Sequence, residues 1–288
     1  MRIYIPGKTF LLGEYAVLQG GSAIIACTKP YFELAVREGD GQHPFHFDSP
    51  AGLFIKEHSE TFQSLDLSWF SPYTDGGFGG STAEFLACFK LHHQLIDKTF
   101  SQEDLYQSYL KYAYHNEGIP PSGADLIAQT QKEGVVHFQS SKIPLKSFIW
   151  SFEDISVLLF KTPNKLATHQ HLKALYQLPE FAVLSHLVAE GLKAIKQSDK
   201  CGWINTIKSY AKVLDELSLT TESTKKILMQ LQQHPACLAA KGCGALGADV
   251  IVVTVNVAKE KEFIATCVSQ FNLRFYAAIK SHECAAHP

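Results

Sequence analysis

The chain has 288 residues, of which 46% are hydrophobic and 19% are charged, and its formal net charge is −2. That length is enough for one large or two ordinary domains with a sizeable core, and the composition excludes an intrinsically disordered chain. A net charge so close to zero does not favour a nucleic-acid or membrane-surface partner, so we expect any anion binding to be local.

The cysteine spacing and the apolar runs indicate the compartment. The seven cysteines are odd in number and form no CxxC pair, which is typical of a reduced intracellular protein, and no HExxH or Cys/His spacing indicates a structural metal. Lys8 interrupts the N-terminal apolar run, unlike a signal peptide, and the longest apolar stretch, residues 250–258, is too short to span a bilayer. We therefore expect a soluble cytoplasmic protein.

The first half of the chain has the pattern of short strands followed by helices. Alternation with a period of two predicts strands, and a glycine-rich segment ending at Gly80 leads directly into a helical pattern. Ser101 and Asp104 have the spacing of a capping box at the start of a further helix. The predicted elements, in chain order, are strands at 2–5, 10–12, 22–27 and 31–37, helices at 83–96, 101–114 and 123–132, and a strand at 134–138.

The second half begins with a nearly continuous apolar run at residues 155–160, which by its length and β-branching indicates a buried strand. The elements predicted after it are helices at 164–176, 179–197, 203–217 and 222–233, a strand at 250–257, a helix at 259–271 and a strand at 273–279. Strands and helices do not strictly alternate, which indicates an α+β protein. We expect two units, residues 1–150 and 151–288.

Lys8 stands in an unusual context. Gly7-Lys8-Thr9 looks like the end of a P-loop, but that spacing requires a glycine at position 2, where this chain has Arg2. A lysine after a strand is usually a solvated surface charge. Here it lies between a glycine and the apolar residues 10–12, where its ammonium could be held in a pocket and neutralise a transferring phosphoryl group. Glu14, six residues later, is either a surface carboxylate or a substrate contact.

Three short clusters could handle a phosphate. Residues 76–82 place four glycines directly before a helix, whose unpaired N–H groups bind anions, and Ser81 and Thr82 add hydroxyls for a phosphate oxygen or Mg²⁺. Residues 241–249 place three glycines before a buried strand, and residues 121–125 place Asp125 on the first turn of a helix as a possible base. Each also has a plain interpretation: a surface loop with Ser81 as N-cap, a tight turn, and an aspartate that stabilises a helix dipole.

Taken together and in this order, the clusters resemble the motifs of the GHMP kinases, the family of galactokinase, homoserine kinase, mevalonate kinase and phosphomevalonate kinase. Pro6-Gly7-Lys8 with Gly13-Glu14-Tyr15 looks like the first motif of the mevalonate and phosphomevalonate branch. GFGGSTA at residues 77–83 is similar to the loop written GLGSSAA, and KGCGALGAD at residues 241–249 is similar to the motif written GAGGGD or GAGGGG. Ser122-Gly123 before Asp125 fits the Ser-Gly pair that precedes the family's aspartate. The resemblance covers the chain from end to end.

The resemblance implies a two-domain fold, with a ribosomal protein S5-like N-terminal domain, a ferredoxin-like C-terminal domain and the site in the cleft between them. It also implies an ATP-dependent phosphotransferase acting on a small-molecule alcohol or phosphate, as a monomer or homodimer. The implied roles are catalysis by Lys8 and Asp125, ATP phosphate binding by Gly77, Phe78, Gly79, Gly80, Ser81 and Thr82, Mg²⁺ binding by Ser81, and substrate binding by Glu14, Tyr15, Ser122, Gly123, Gly244 and Ala245.

The branch within the family is open between mevalonate kinase and phosphomevalonate kinase. Glu14-Tyr15 and Asp249 favour phosphomevalonate kinase, whereas the length is closer to that of the shorter mevalonate kinases. Several positions depart from the family pattern: Gly80 replaces a serine, Leu246 and Ala248 replace glycines, and Tyr114 stands where mevalonate kinases have a Mg²⁺-binding glutamate, for which Glu84 or Glu117 could substitute. Two other hypotheses therefore stay open, a catalytically silent relative that binds a nucleotide or small metabolite, and an interaction module with coincidental glycines.

Overall fold

The computed structural model describes residues 1–73, 77–139, 145–162, 181–247 and 250–281, and the strands in this part of the chain form two antiparallel sheets. The strands of the first sheet are β1 (Arg2–Leu12), β2 (Ser22–Glu38), β3 (Leu65–Phe70), β4 (Gly134–Gln139) and β5 (Leu145–Phe148), in the order β1-β2-β4-β5 with β3 also paired to β2. The strands of the second are β6 (Ile155–Lys161), β7 (Cys237–Cys243), β8 (Val250–Asn256) and β9 (Arg274–Ile279), in the order β7-β8-β6-β9.

The described helices are α1 (Pro50–Glu57), α2 (Ser59–Phe62), α3 (Gly80–Leu95), α4 (Gln102–Ala113), α5 (Ala124–Ala128), α6 (Ala182–Gln197), α7 (Lys200–Glu216), α8 (Glu222–Gln232) and α9 (Glu260–Gln270). This mixture of helices with two antiparallel sheets confirms the α+β class. The capping box predicted at Ser101 is present, because its hydroxyl accepts from the Asp104 N–H and the Asp104 carboxylate accepts from the Ser101 N–H. The helix predicted at 164–176 lies outside the described residues.

The first two strands are longer than the sequence pattern predicts. The break expected at Pro6 is absorbed by a shift in the β1–β2 register between Ile5 and Gly7, so β1 continues through it and carries Lys8. β2 likewise joins two predicted strands, and its 17 residues pair with β1, β3 and β4. The pattern misses β3, β5 and β7 and the two short helices α1 and α2.

One large apolar cluster joins residues of both sheets with those of several helices, and a second cluster includes residues from the second sheet. Alternate residues of β8 face opposite ways: Val250 and Val252 join a large cluster shared with β1, β2, α3 and α7, while Ile251 and Val253 pack with α8 and α9. β8 is therefore buried on both faces, which explains its continuous apolar run. Each sheet draws its strands from one side of residue 150, while the division into two domains at that residue stays a prediction. Within the described ranges, no helix is long and apolar enough to cross a membrane.

Candidate active site

Lys8 and Asp125 form an ion pair between β1 and α5. The Nζ atom of Lys8 is 2.8 Å from Oδ2 of Asp125, and the two side chains are 11% and 32% exposed. The ammonium also lies 4.6 Å from the centre of the Phe10 ring, within the range of a cation–π contact. The lysine charge is thus largely shielded from solvent and offset by a carboxylate that is itself partly open to solvent.

The turn before α5 presents Asp125 as the second residue of that helix. Gly123 is the N-cap with a φ of 70°, and a Cβ atom there would lie 2.4 Å from the Tyr106 ring, so the position requires glycine. The Ser122 hydroxyl accepts a hydrogen bond from the Ala124 N–H at 3.3 Å. Gly123, predicted as a substrate contact, is buried beneath Tyr106, so in this structure it shapes the turn.

The glycine loop lies directly against Lys8. The Lys8 backbone N–H donates to the Phe78 carbonyl at 3.0 Å, and Gly79 forms the N-cap of α3 with a φ of 81°. A Cβ atom at Gly79 would lie 2.8 Å from Cγ of Lys8, so any larger residue there would displace the Lys8 side chain. Gly80 and Ser81 are the first two residues of this 16-residue helix, where backbone N–H groups are left unpaired. The structure therefore brings Lys8, Asp125 and the helix N-terminus to one place.

Two side chains of the loop point into the protein. Phe78 is buried, with its ring stacked 4.3 Å from that of Tyr73 and 4.8 Å from that of Tyr276 on β9. Thr82 is also buried, and its hydroxyl donates to Oε1 of Gln129 at 2.5 Å. The proton of the Thr82 hydroxyl thus points to acceptors inside the protein, Gln129 and the Gly79 carbonyl at 3.0 Å, and a role for this hydroxyl at a phosphate stays a prediction. Gly77 is half-buried, and residues 74–76 lie outside the described part.

The oxygen atoms that could serve Mg²⁺ lie along the first turns of α3. Ser81 is exposed, and Glu84, one turn further on, is half-buried in a setting that raises the pKa of its carboxyl. Tyr114 does not supply a ligand in place of the expected glutamate, because its hydroxyl donates to the Gly118 carbonyl at 3.1 Å. Among the described residues, no group of three or more His, Cys, Asp or Glu side chains lies close enough together to hold a metal.

Glu14, predicted as a substrate contact, is instead a buried partner of Lys241. Oε1 of Glu14 is 2.6 Å from Nζ of Lys241, and the side chains are 5% and 0% exposed. The Gly13 N–H donates to the Tyr210 hydroxyl at 3.0 Å, and burial together with the Glu14 charge raises the pKa of Tyr210 far above its ordinary value. The turn after β1 is packed against β7 and α7, which encloses the carboxylate.

Tyr15 and the third motif are joined by a second contact. The Leu246 N–H donates to the Tyr15 hydroxyl at 3.1 Å, and Tyr15 is buried, which raises its pKa. Tyr15 therefore contacts the C-terminal glycine turn, and its expected role as a substrate contact stays a prediction. Leu246 has a φ of 52° inside the turn Ala245–Gly247, a conformation that favours glycine. Gly244 precedes this turn and is half-buried, while residues 248–249 lie outside the described ranges.

The sequence analysis missed Gln129, Tyr210 and Lys241 as members of this region. The signal for Lys241 was its place before the third glycine cluster, but its partner lies 227 residues away.

A groove of about 690 Å³ between β2 and β9 is lined by other residues, among them Lys29, Tyr31, Glu133, Glu260, Tyr276 and Lys280. None of the predicted site residues lines that groove, so the candidate site rests on the converging groups.

Comparison with known proteins assigns the fold. No family model matches the sequence, and no curated protein matches it. By structure, the chain is similar to Streptococcus pneumoniae phosphomevalonate kinase in complex with phosphomevalonate and AMPPNP, at 15% identity over 96% of this chain and 99% of that chain, with a TM-score of 0.79. It is also similar to L. major mevalonate kinase in complex with R-mevalonate (17% identity, 97% and 96% covered, TM-score 0.73) and to Lactococcus lactis galactokinase complexed with galactose (13%, 97% and 93%, TM-score 0.75). The GHMP kinase fold expected from the motifs is therefore confirmed.

Proposed function

We propose that this chain, which has the fold of the GHMP kinases, is an ATP-dependent kinase of a small molecule, either phosphomevalonate kinase or mevalonate kinase. The observation that carries the proposal is the contact of the partly buried Lys8–Asp125 pair with the glycine loop at the start of α3. A cation, a carboxylate and a helix N-terminus at one place are the groups that phosphoryl transfer requires. The neighbours with phosphomevalonate, mevalonate and galactose support a small-molecule acceptor.

Each group of the chain at this site has a role in phosphoryl transfer that follows from its charge. The N–H groups at Gly80 and Ser81 bind the nucleotide phosphates, since they point out of the helix and carry partial positive charge. Lys8 offsets the negative charge that develops on the transferred group, and its low exposure makes this interaction stronger than in water. Asp125 holds the Lys8 ammonium in place and orients the acceptor oxygen.

The role of Asp125 depends on the acceptor. For an alcohol such as mevalonate, Asp125 accepts the proton of the attacking hydroxyl. For an acceptor that is already a phosphate, little proton removal is needed, and Asp125 serves mainly to align Lys8. The 2.8 Å ion pair is compatible with both roles of Asp125, so the acceptor that is used distinguishes a mevalonate kinase from a phosphomevalonate kinase.

The residues at the start of α3 fit Mg²⁺, which typically takes one or two protein oxygens together with substrate phosphates. Ser81 and Glu84 would hold it. Burial raises the pKa of the Glu84 carboxyl, and a cation beside it would stabilise its charged form. Bound there, Mg²⁺ supplies charge neutralisation of the β- and γ-phosphates.

A panel of acceptors tests the proposal. ATP consumption is measured with mevalonate, phosphomevalonate, diphosphomevalonate, homoserine and common sugars, and we expect turnover with mevalonate or phosphomevalonate.

The second candidate function is that of a silent relative that binds nucleotide without transfer, favoured by Leu246 in the third motif and by Tyr114 at the expected glutamate position. It predicts no turnover across the panel, but an ATP-induced stabilisation of about 2.7 kcal/mol at 100 times Kd.

A further inference from the structure

Gln129 is a fully buried amide at the C-terminal end of α5, four residues after Asp125. Its Nε2 atom donates to the Pro6 carbonyl at 2.8 Å and to the Gly79 carbonyl at 3.2 Å. Its Oε1 atom accepts from the Thr82 hydroxyl at 2.5 Å. The opposite orientation of the amide would set Oε1 against two carbonyl oxygens, so these contacts determine which end of the amide faces which partner.

These contacts tie together the three segments that carry the candidate site. Pro6 is two residues before Lys8 on β1, Gly79 is the N-cap of α3, and Asp125 is on the same helix as Gln129. The Gly79 position is crowded, since a Cβ atom there would lie 3.0 Å from Nε2 of Gln129. One side chain therefore sets the spacing between the phosphate loop and the Lys8–Asp125 pair.

Thr82 belongs to the same arrangement. The loop pattern GLGSSAA has alanine where this chain has Thr82, and alanine could not satisfy Oε1 of Gln129. We propose that Gln129 and Thr82 form a matched pair of positioning residues that holds the glycine loop at its working distance from Lys8 and Asp125. This inference rests on the proposed function and deepens it.

The test uses variants of the full chain with steady-state kinetics and melting curves with and without ATP. Gln129→Leu keeps the side-chain bulk but removes the amide donor to the Pro6 carbonyl, while the Gly79 carbonyl keeps the Ala83 N–H and the Thr82 hydroxyl as donors. We expect a lower Tm from the loss of the buried amide contacts and a fall in kcat of at least ~10-fold, since small misplacements of reacting groups are costly. The matched control is Gln131→Leu, whose amide contacts Thr130 and Ser147, and its kinetics should equal those of the wild type.

The double variant Gln129→Leu with Thr82→Val tests whether the two residues act as a pair. In Gln129→Leu the Thr82 hydroxyl still has the Gly79 carbonyl as acceptor, but its contact with residue 129 is already lost. A matched pair therefore predicts that Thr82→Val lowers kcat and the ATP-induced rise in Tm in the wild-type chain but lowers neither further in Gln129→Leu. Independent effects of the two substitutions on kcat, or a Gln129→Leu variant with normal kcat and KM, overturn the inference.

The outcomes also distinguish this inference from the proposed function. If the wild type turns over ATP and Gln129→Leu does so equally well, only the positioning claim is wrong. If the wild type binds ATP without transfer, the kinase proposal is wrong. The ATP-induced rise in Tm then tests the Gln129–Thr82 pair, and a normal rise in Gln129→Leu would contradict the positioning claim. If the wild type does not bind ATP, both are wrong. Should Gln129→Leu fail to fold, Thr82→Val alone is expected to lower kcat, and a normal kcat would overturn the pairing.

Discussion

Replacing Lys241 with methionine removes the cation from a buried ion pair and leaves the Glu14 carboxylate behind. The pair is closed to solvent, with Lys241 0% and Glu14 5% exposed and 2.6 Å between the charged atoms. Tyr210 lies beside the carboxylate, but a neutral hydroxyl cannot offset its charge. Breaking a buried pair on one side typically costs about 3–5 kcal/mol, so we expect Lys241→Met to lower the free energy of unfolding by that amount.

Removing both charges should cost much less. In the double variant Glu14→Gln with Lys241→Met no unpaired charge is left, and apolar or neutral replacements of whole buried pairs are often close to neutral. We expect the double variant to recover at least half of the stability that Lys241→Met loses. The matched surface control is Lys212→Met, whose ion pair with Glu216 is exposed and 3.5 Å long, and it should change stability by less than about 0.5 kcal/mol.

The assay is urea unfolding at pH 7, supported by melting curves. At roughly 2 °C per kcal/mol, Lys241→Met should lower Tm by about 6–10 °C. A loss below about 1 kcal/mol in Lys241→Met would mean that water or another group reaches the carboxylate. Equal losses in the single and double variants would mean that the cost comes from packing at Lys241. Either result refutes the argument from an uncompensated buried charge.

Two further predictions concern the metal and the pH. Ser81→Ala should chiefly raise the Mg²⁺ concentration needed for half-maximal rate, and an unchanged requirement in a Mg²⁺ titration would place the metal elsewhere. Burial among the neighbouring rings, helped by the charge of His58, lowers the pKa of His92 to about 4. The unfolded chain binds this proton near pH 6.5 and the folded chain only near 4. The contribution of neutral His92 to the free energy of unfolding is therefore complete above pH 6.5 and is lost as the pH falls from 6.5 to 4. His92→Gln should therefore flatten the loss of unfolding free energy between pH 7 and pH 5, whereas exposed His115→Gln should not, and equal slopes in His92→Gln and the wild type would contradict the assignment.

Local patterns were enough to predict the elements that carry the site. The glycine run before an apolar-periodic segment predicted the start of α3, and Ser122-Gly123 before Asp125 predicted the start of α5. Both predictions needed only a few neighbouring residues, because a helix start is determined by the residues around its N-cap. The apolar setting of Lys8 likewise indicated that its side chain could be buried.

The contacts that join distant segments could not be predicted in this way. Glu14 looked like a surface or substrate carboxylate because nothing near it in sequence shows that Lys241 reaches it from β7. Gln129 showed no signal at all, since its three partners come from β1, the glycine loop and α3. Pairings of this kind depend on how the sheets pack, which a single sequence does not reveal.

The central claim is that Lys8 and Asp125 act together on a phosphoryl group held by the glycine loop. The most direct measurement is kcat for transfer from ATP to the acceptor that the wild type uses, in Lys8→Met and Asp125→Asn, with Lys212→Met as the control and Tm recorded for each. We predict that each site variant lowers kcat by at least ~10²-fold while the control keeps the wild-type rate. Near-normal turnover in either folded site variant would contradict the claim.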